Sequence, residues 1–495
     1  MLWPIVKTAI ASRSKTAVVD DQRRYTYAHI LGGSLFLAEK LDSVTSRRHV
    51  GIMLPTSGSF PVALMACWFA NRVAVPLNYL LSKEELQYII RDSGIDTIIT
   101  VGPMLSFIGG AEVIPPGVKI IDLMTDVDFT GVPPLRWPPL NGADDLAVIL
   151  YTSGTSGRPK GVMLSHGNLL SNVKAACLHA GMSGADVFVG VLPQFHSFGL
   201  TALKHIPLWL RSKVVYTARF IPKKLVSLIS EHKPAVFMAV PSMYGAMLGV
   251  KSATAEDFAS LRLAISGGEP LPGAVFDEFK SRFNVHILEG YGLTETSPVS
   301  NWSLPYRNRI KSVGPAIPDV DILIVDDKDK PVPVGGEGEI LISGPNIMKG
   351  YYQLPDQTAA VFVDIDGPGG QPPRRFFRSG DIGKLDEDGF LYITGRKKEM
   401  LIIAGENVFP REIEEVLNQH PTVRDSAVIG KMDDLRGELP IAFVELVEDA
   451  TFDEKELRGW CRDRLAQFKV PREIRLMEKL PRNPTGKIMR RQLKA

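Results

Sequence analysis

Residues 151–161, Tyr-Thr-Ser-Gly-Thr-Ser-Gly-Arg-Pro-Lys-Gly, gather the side chains that bind phosphate. Gly154, Gly157 and Gly161 permit positive φ and let the backbone approach a ligand closely. The hydroxyls of Thr152, Ser153, Thr155 and Ser156 donate alongside backbone N–H groups. Lys160 adds one positive charge at the end of the loop. The apolar run 146–150 predicts a buried strand feeding this loop, which a solvent-exposed Gly/Ser linker would lack. The pattern is not the GxxxxGK[ST] of a P-loop nucleotidase. At the places matched from Gly154 stand Pro159, Lys160 and Gly161, so the second glycine and the magnesium-binding hydroxyl are both missing.

Four further clusters follow in order. They are Glu289-Gly290-Tyr291-Gly292-Leu293-Thr294-Glu295-Thr296, Arg378-Ser379-Gly380-Asp381, Gly395-Arg396-Lys397-Lys398 and Pro481-Arg-Asn-Pro-Thr-Gly-Lys487. Together with the loop they resemble the five signature motifs of the adenylate-forming superfamily. That group comprises acyl- and aryl-CoA synthetases, firefly-luciferase-type enzymes and peptide-synthetase adenylation domains. Five motifs in the right order, spanning residues 146–491, make chance agreement negligible.

The resemblance implies two steps. A carboxylate attacks the α-phosphate of ATP, giving an acyl-adenylate and pyrophosphate, and a thiol then displaces AMP. The first step gathers negative charge and needs positive groups placed in advance. Lys487 is expected to bridge carboxylate and α-phosphate. Glu295 is expected to hold Mg2+, which usually takes one or two carboxylates plus phosphate oxygens. Asp381 would accept the ribose hydroxyls, and Arg396 would reach ribose or phosphate. Gly267, Gly268, Glu289, Gly290 and Tyr291 would line the adenine, with Gly292 and Thr294 beside them. His196, in Leu192-Pro-Gln-Phe-His-Ser-Phe-Gly199, resembles the aromatic gate beside the acyl carboxylate and is expected to shape the pocket. Lys398 falls at the hinge about which the family rotates its C-terminal domain between half-reactions. Gly405 resembles the point where backbone lines the pantetheine tunnel of coenzyme A.

Phe195, Phe198, Phe237, Met238 and Tyr244 are the expected wall of the acyl pocket. No basic residue there stands out to pair with a second substrate charge, so an apolar acid is expected, with Glu269 the exception to an apolar wall. LPQFHSFGL and GRKKEMLIIAGENVFPREIEEVL look most like fatty acyl-CoA or acyl-carrier-protein synthetases. A medium- or long-chain acyl-CoA ligase leads; a ligase loading a carrier protein or an aryl acid, and a nucleotide-binding pseudoenzyme, are the alternatives.

The elements that must position these groups read as an α/β fold. Strands are expected at 50–54, 73–76, 96–101, 146–151, 236–241, 261–266 and 286–289, alternating with helix-length stretches, which implies parallel or mixed sheets covered on both faces. A β-rich subdomain is expected at about 319–395, within an N-terminal domain 1–395. A mobile α+β domain, 396–495, would carry the catalytic lysine, with a helix at 410–417, strands at 426–430 and 441–446 and a helix at 453–467.

The 495 residues carry 57 Lys+Arg against 55 Asp+Glu, so the net charge of 57 − 55 = +2 offers no field for nucleic acid. Cys67, Cys177 and Cys461 form no CxxC, which supports neither a disulfide framework nor a zinc cluster. No apolar stretch reaches the roughly 20 residues of a membrane span. Residues 1–11 read as an amphipathic helix, not a signal peptide, because Lys7 sits inside the apolar run. A cytoplasmic enzyme is expected, with peripheral contact to membranes left open.

Overall fold

The computed structural model describes residues 1–152, 158–366, 372–403, 406–433, 437–482 and 486–494. Among them lie four β-sheets flanked by helices, the mixed α/β architecture expected. In the first sheet the strands run Val299–Trp302, Ile287–Gly292, Leu263–Ser266, Val236–Ala239, Val187–Gly190, Lys213–Tyr216, Thr16–Val19 and Arg24–Thr26. Its interior is parallel and only the two edges are antiparallel. The second sheet orders Gly350–Tyr351, Lys160–Ser165, Leu146–Thr152, Val73–Pro76, His49–Ile52, Thr97–Thr100 and Lys119–Asp122. Strands buried on both faces are predominantly apolar, and Val236–Ala239, Leu263–Ser266, Val73–Pro76 and Thr97–Thr100 are buried throughout.

Helix Ser59–Phe69 buries each residue from Phe60 to Phe69, as a helix enclosed on all sides must. Helix Leu2–Ala11 buries Leu2, Ile5, Val6 and Ala9, a one-sided stripe that packs on helices Tyr27–Val44 and Ile206–Leu210. Among the described residues no helix is long and apolar enough to cross a membrane.

The third sheet is antiparallel: Asp321–Val325, Gly338–Ser343, Arg374–Leu385 and Phe362–Ile365, with Leu391–Arg396 paired to the long strand Arg374–Leu385. The fourth joins Glu406–Val408, Leu401–Ile403, Gly437–Leu446 and Val423–Asp433, with Glu473–Leu476 parallel to Gly437–Leu446. Helices Pro410–Leu417 and Glu454–Arg462 complete its own hydrophobic core around Ile413, Leu417, Val428 and Leu457. The helix expected over 453–467 thus stops at Arg462.

Parallel α/β sheets bind ligands in the crevice beyond the carboxyl ends of their strands. The parallel strands of both sheets direct those ends at one cavity. Pro55, Tyr79 and Pro103 follow three strands of the second sheet; Pro193, Ala218, Val240, Ser266 and Gly290 lie at or just past five strand ends of the first.

The segment 193–199 turns tightly at the cavity edge. A Cβ on Gly199 would lie 2.2 Å from the Pro193 carbonyl oxygen, against backbone that cannot yield locally. Gly199→Ala is therefore expected to lower stability by about 1–3 kcal/mol. Urea denaturation would measure it; an unchanged midpoint would refute the close packing of this turn.

Candidate active site

The cavity has a volume of about 1220 Å³. Pockets for one small ligand commonly hold about 300–1,000 Å³, so this one accommodates a nucleotide together with a second molecule. Its wall collects Thr152, Lys160, His196, Phe198, Gly267, Gly268, Gly290, Tyr291, Gly292, Thr294, Glu295, Ser379, Gly380, Arg396, Lys398 and Lys487, which include residues from all five motifs.

The expected phosphate loop joins two antiparallel strands, Leu146–Thr152 and Lys160–Ser165, with Thr152 opposite Lys160. A hairpin therefore presents it, in place of the helix N-terminus of a P-loop. Ser153, Gly154, Thr155, Ser156 and Gly157 lie outside the described residues, as do Ala404 and Gly405. Below the loop, Tyr151 donates to Asp92 at 2.5 Å. The Lys160 ammonium lies 5.0 Å from the centre of the Tyr351 ring, and burial, then Lys398, pulls its pKa down.

Asp381 and Arg396 face each other across the antiparallel pair Arg374–Leu385 and Leu391–Arg396. Arg396 Nε lies 2.8 Å from one Asp381 oxygen, and the Tyr291 hydroxyl donates to the other at 2.6 Å. The aspartate is buried behind the two residues that line the cavity, so both its oxygens already serve protein groups. Gly380 before it takes φ +71°, the left-handed turn that favours glycine.

Glu295 sits in a single turn, Thr294–Thr296, and its Oε1 accepts from the Tyr351 hydroxyl at 2.9 Å. Burial raises its pKa. A desolvated carboxylate on the cavity wall fits Mg2+, whose remaining ligands would come from phosphate and water. Among the described residues no cluster of three or more His, Cys, Asp or Glu could hold a metal by itself.

His196 caps the short helix Ser197–Leu200, its Nδ1 accepting from the Phe198 N–H at 3.3 Å. The ring opens onto the cavity while protein surrounds it. Burial, reinforced by Lys487, pushes its pKa down to about 4, so the imidazole is neutral near pH 7. Lys487 reaches the same wall from the C-terminal tail, after Gly486 at φ +99°. Burial and Arg396 lower its pKa.

Several sequence expectations are corrected here. Phe237 and Tyr244 are buried in a separate core with rings 5.1 Å apart, and the Tyr244 hydroxyl donates to the Ile265 carbonyl at 3.0 Å. Met238 is buried in the main core. Strand Val236–Ala239 is covered on both faces, which leaves none of its side chains for the cavity. Met243 lines it instead. Phe195 stands behind Tyr79, ring centres 4.9 Å apart, and Tyr79 makes the wall. Glu289 also leaves the wall: its Oε2 accepts from the Leu271 N–H at 3.4 Å. Tyr79, Leu80, Met104, Phe107, Phe220 and Tyr351 are wall residues that sequence reading missed. The usable signal was that Tyr79 and Met104 closely follow the predicted strands 73–76 and 96–101.

The AMP-binding enzyme family matches residues 6–352, and the AMP-binding enzyme C-terminal domain matches residues 412–487. A long-chain-fatty-acid–CoA ligase of Bacillus subtilis is 32% identical, covering 97% of this chain and 91% of that protein. A feruloyl-CoA synthase of Amycolatopsis is also 32% identical, over 99% and 98%. ATP-bound MatB from Rhodopseudomonas palustris superposes with a TM-score of 0.88 at 31% identity, over 99% and 98% of the two chains. Apo MatB gives 0.78 at the same identity, over 99% and 97%. The o-succinylbenzoate CoA synthetase MenE from Bacillus subtilis, in complex with ATP and magnesium, gives 0.86 at 28% identity, over 99% of each chain.

The chain belongs to the AMP-binding enzyme family and is an acyl-CoA synthetase of the adenylate-forming superfamily. It is an acid–thiol ligase: with ATP and Mg2+ it converts a carboxylic acid to an acyl-adenylate, releasing pyrophosphate, then passes the acyl group to coenzyme A and releases AMP.

Burial raises the Glu289 pKa to about 7. A carboxyl whose folded pKa exceeds its unfolded value favours the fold at low pH and loses that contribution as pH rises through the folded pKa. Glu289→Gln is therefore expected to gain thermal stability relative to the unsubstituted protein as pH increases from 5 to 8. Thermal midpoints across that range check it, and a constant difference would count against a buried, titrating Glu289.

Proposed function

We propose that the acid is an apolar medium- or long-chain fatty acid, carried as a CoA thioester. The supporting observation is the wall formed by Tyr79, Leu80, Met104, Phe107, Phe220 and Met243, continuous with the nucleotide cavity. Tyr79 holds it together, with ring centres 5.9 Å from Phe107 and 4.9 Å from Phe195. Each buried methylene contributes about 0.8 kcal/mol, so such a wall selects by chain length.

Residues 1–395 form the nucleotide-binding domain and 396–495 the mobile one. The acid's carboxylate lies beside His196, whose neutral ring leaves the charge to be met by Lys487. Lys487 aligns this carboxylate with the α-phosphate and stabilises the charge that develops in the attack. Arg396, oriented by Asp381, binds ribose or phosphate, and Lys160 takes the outer phosphates. When bound at Glu295, Mg2+ neutralises phosphate charge. The higher TM-score to ATP-bound than to apo MatB, and Lys487 on the wall, support the adenylating arrangement. Rotation about Lys398 then removes Lys487 and admits the thiol.

Pyrophosphate release should be strongest with a medium or long acid in a series from acetate to palmitate, and should rise when CoA is added. A maximum with benzoate or ferulate would assign an aryl acid instead; indifference to CoA would favour a carrier-protein acceptor. Lys487→Ala should lower adenylation by on the order of 10²–10³ while sparing thioester formation from supplied acyl-adenylate. Lys398→Pro should do the reverse, slowing thioester formation more than adenylation; equal loss in both steps would remove Lys398 from the hinge.

A further inference from the structure

The two residues that flank Lys398 are tied in opposite directions. The Lys397 ammonium lies 3.2 Å from Asp327 and 3.4 Å from Glu339, both on the antiparallel sheet and its turn. Glu339 is buried and also pairs with Arg378 at 3.1 Å. On the other side of Lys398, the Glu399 carboxylate lies 2.9 Å from Arg490 Nη1. Arg490 forks onto Glu414 as well, with Nε to Oε1 at 3.0 Å and Nη2 to Oε2 at 2.7 Å. Glu414 is buried on helix Pro410–Leu417 and its Oε1 accepts from the Val428 N–H at 2.7 Å. Arg490 stands three residues beyond Lys487 on the same tail.

We propose that Glu399 is a positioning residue for Lys487, acting through Arg490. The proposal rests on the roles given above to Lys398 and Lys487. Glu399 is the first residue past the pivot, and Arg490 fixes the tail that carries the lysine. Their ion pair makes the start of the moving domain and the lysine segment one rigid piece. Lys397, held to the other sheet, stays behind, which confines the rotation to a single residue. An arginine is needed because its planar fork engages two carboxylates at once, which an ammonium on a flexible stem does not do in fixed geometry. Once the domain has turned, Lys487 has left the reacting atoms, so its placement matters to adenylation only. A lysine displaced by a fraction of an ångström loses rate in that step without loss of substrate binding.

Glu399→Gln removes the pair while leaving Arg490 on Glu414, so the buried charge keeps its partner. It should lower the adenylation kcat about tenfold, with the KM for ATP and thioester formation from supplied acyl-adenylate both within about twofold of the unsubstituted enzyme. Arg490→Lys should give the same selective loss, and the double variant should be no slower than either single one. The proposal fails if Glu399→Gln adenylates at the original rate, if both half-reactions fall alike, or if the two losses multiply in the double variant. Lys487→Ala run in parallel separates the two levels. Retained adenylation there would overturn the reading of Lys487 itself, whereas its loss beside an unimpaired Glu399→Gln overturns only the role of Glu399.

Discussion

The cavity must receive a triphosphate and a carboxylate together, and like charges at close range repel. The protein meets this with cations that are themselves poorly solvated. Lys160 is disfavoured by burial and by Lys398; Lys487 is disfavoured by burial and by Arg396. The acids suffer the mirror-image strain, since burial raises the pKa of both Glu269 and Glu295. In the proposed function a metal–nucleotide complex would relieve both sets at once, its phosphates offsetting the cations and its Mg2+ offsetting Glu295. Groups held desolvated in fixed positions interact more strongly with an incoming charge than they would in water.

Such groups stay in place only if the backbone around them is rigid. Asp381 and Arg396 are cross-strand neighbours, so register alone brings them together. Tyr291, from the first parallel sheet, reaches the same aspartate and locks the antiparallel sheet to the edge of the cavity. Thr152 and Lys160 are likewise fixed by pairing on either side of the phosphate loop. Lys487 is the exception, because it arrives on a tail whose local structure rests on ion pairs and short turns: Arg482 lies 2.5 Å from Asp425 and donates to the Gly486 carbonyl at 3.0 Å. Lys487 thus depends on local ion pairs and turns, where Thr152, Lys160, Asp381 and Arg396 depend on strand register.

Much of this was legible in the chain. The strands at 73–76 and 146–151 and the helix at 410–417 were bounded by Gly, Pro or charge and agree with the structure to within a residue. The phosphate and lysine motifs carried their chemistry in residue type, and the cavity wall includes a residue from each. What failed was the side-chain direction of apolar residues. Phe237, Met238 and Tyr244 differ from Met243 in no local property; only the covering of strand Val236–Ala239 on both faces turns them inward. Asp381 was expected to accept ribose hydroxyls, and its place behind Tyr291 was not legible because that contact joins positions 90 residues apart.

The same distinction bears on why relatives named for different acids can be equally identical to this chain. Charge must be met at the same points whatever acid is activated, so the groups around the phosphates are tied to register and to glycine turns. The acyl wall instead comes from residues just past the strand ends, such as Tyr79, Met104 and Phe220, and from one face of helix Pro241–Leu248. Their backbones are held near strand ends, and their side chains line the cavity while packing against the core behind it. Exchanging them alters the shape of the wall without disturbing an ion pair or a strand register. A long-chain-fatty-acid–CoA ligase and a feruloyl-CoA synthase are equally similar to this chain, at 32% identity. Overall identity does not separate the acids, and under the proposed function the selection falls to the few apolar side chains that the folded sheets bring to the cavity wall.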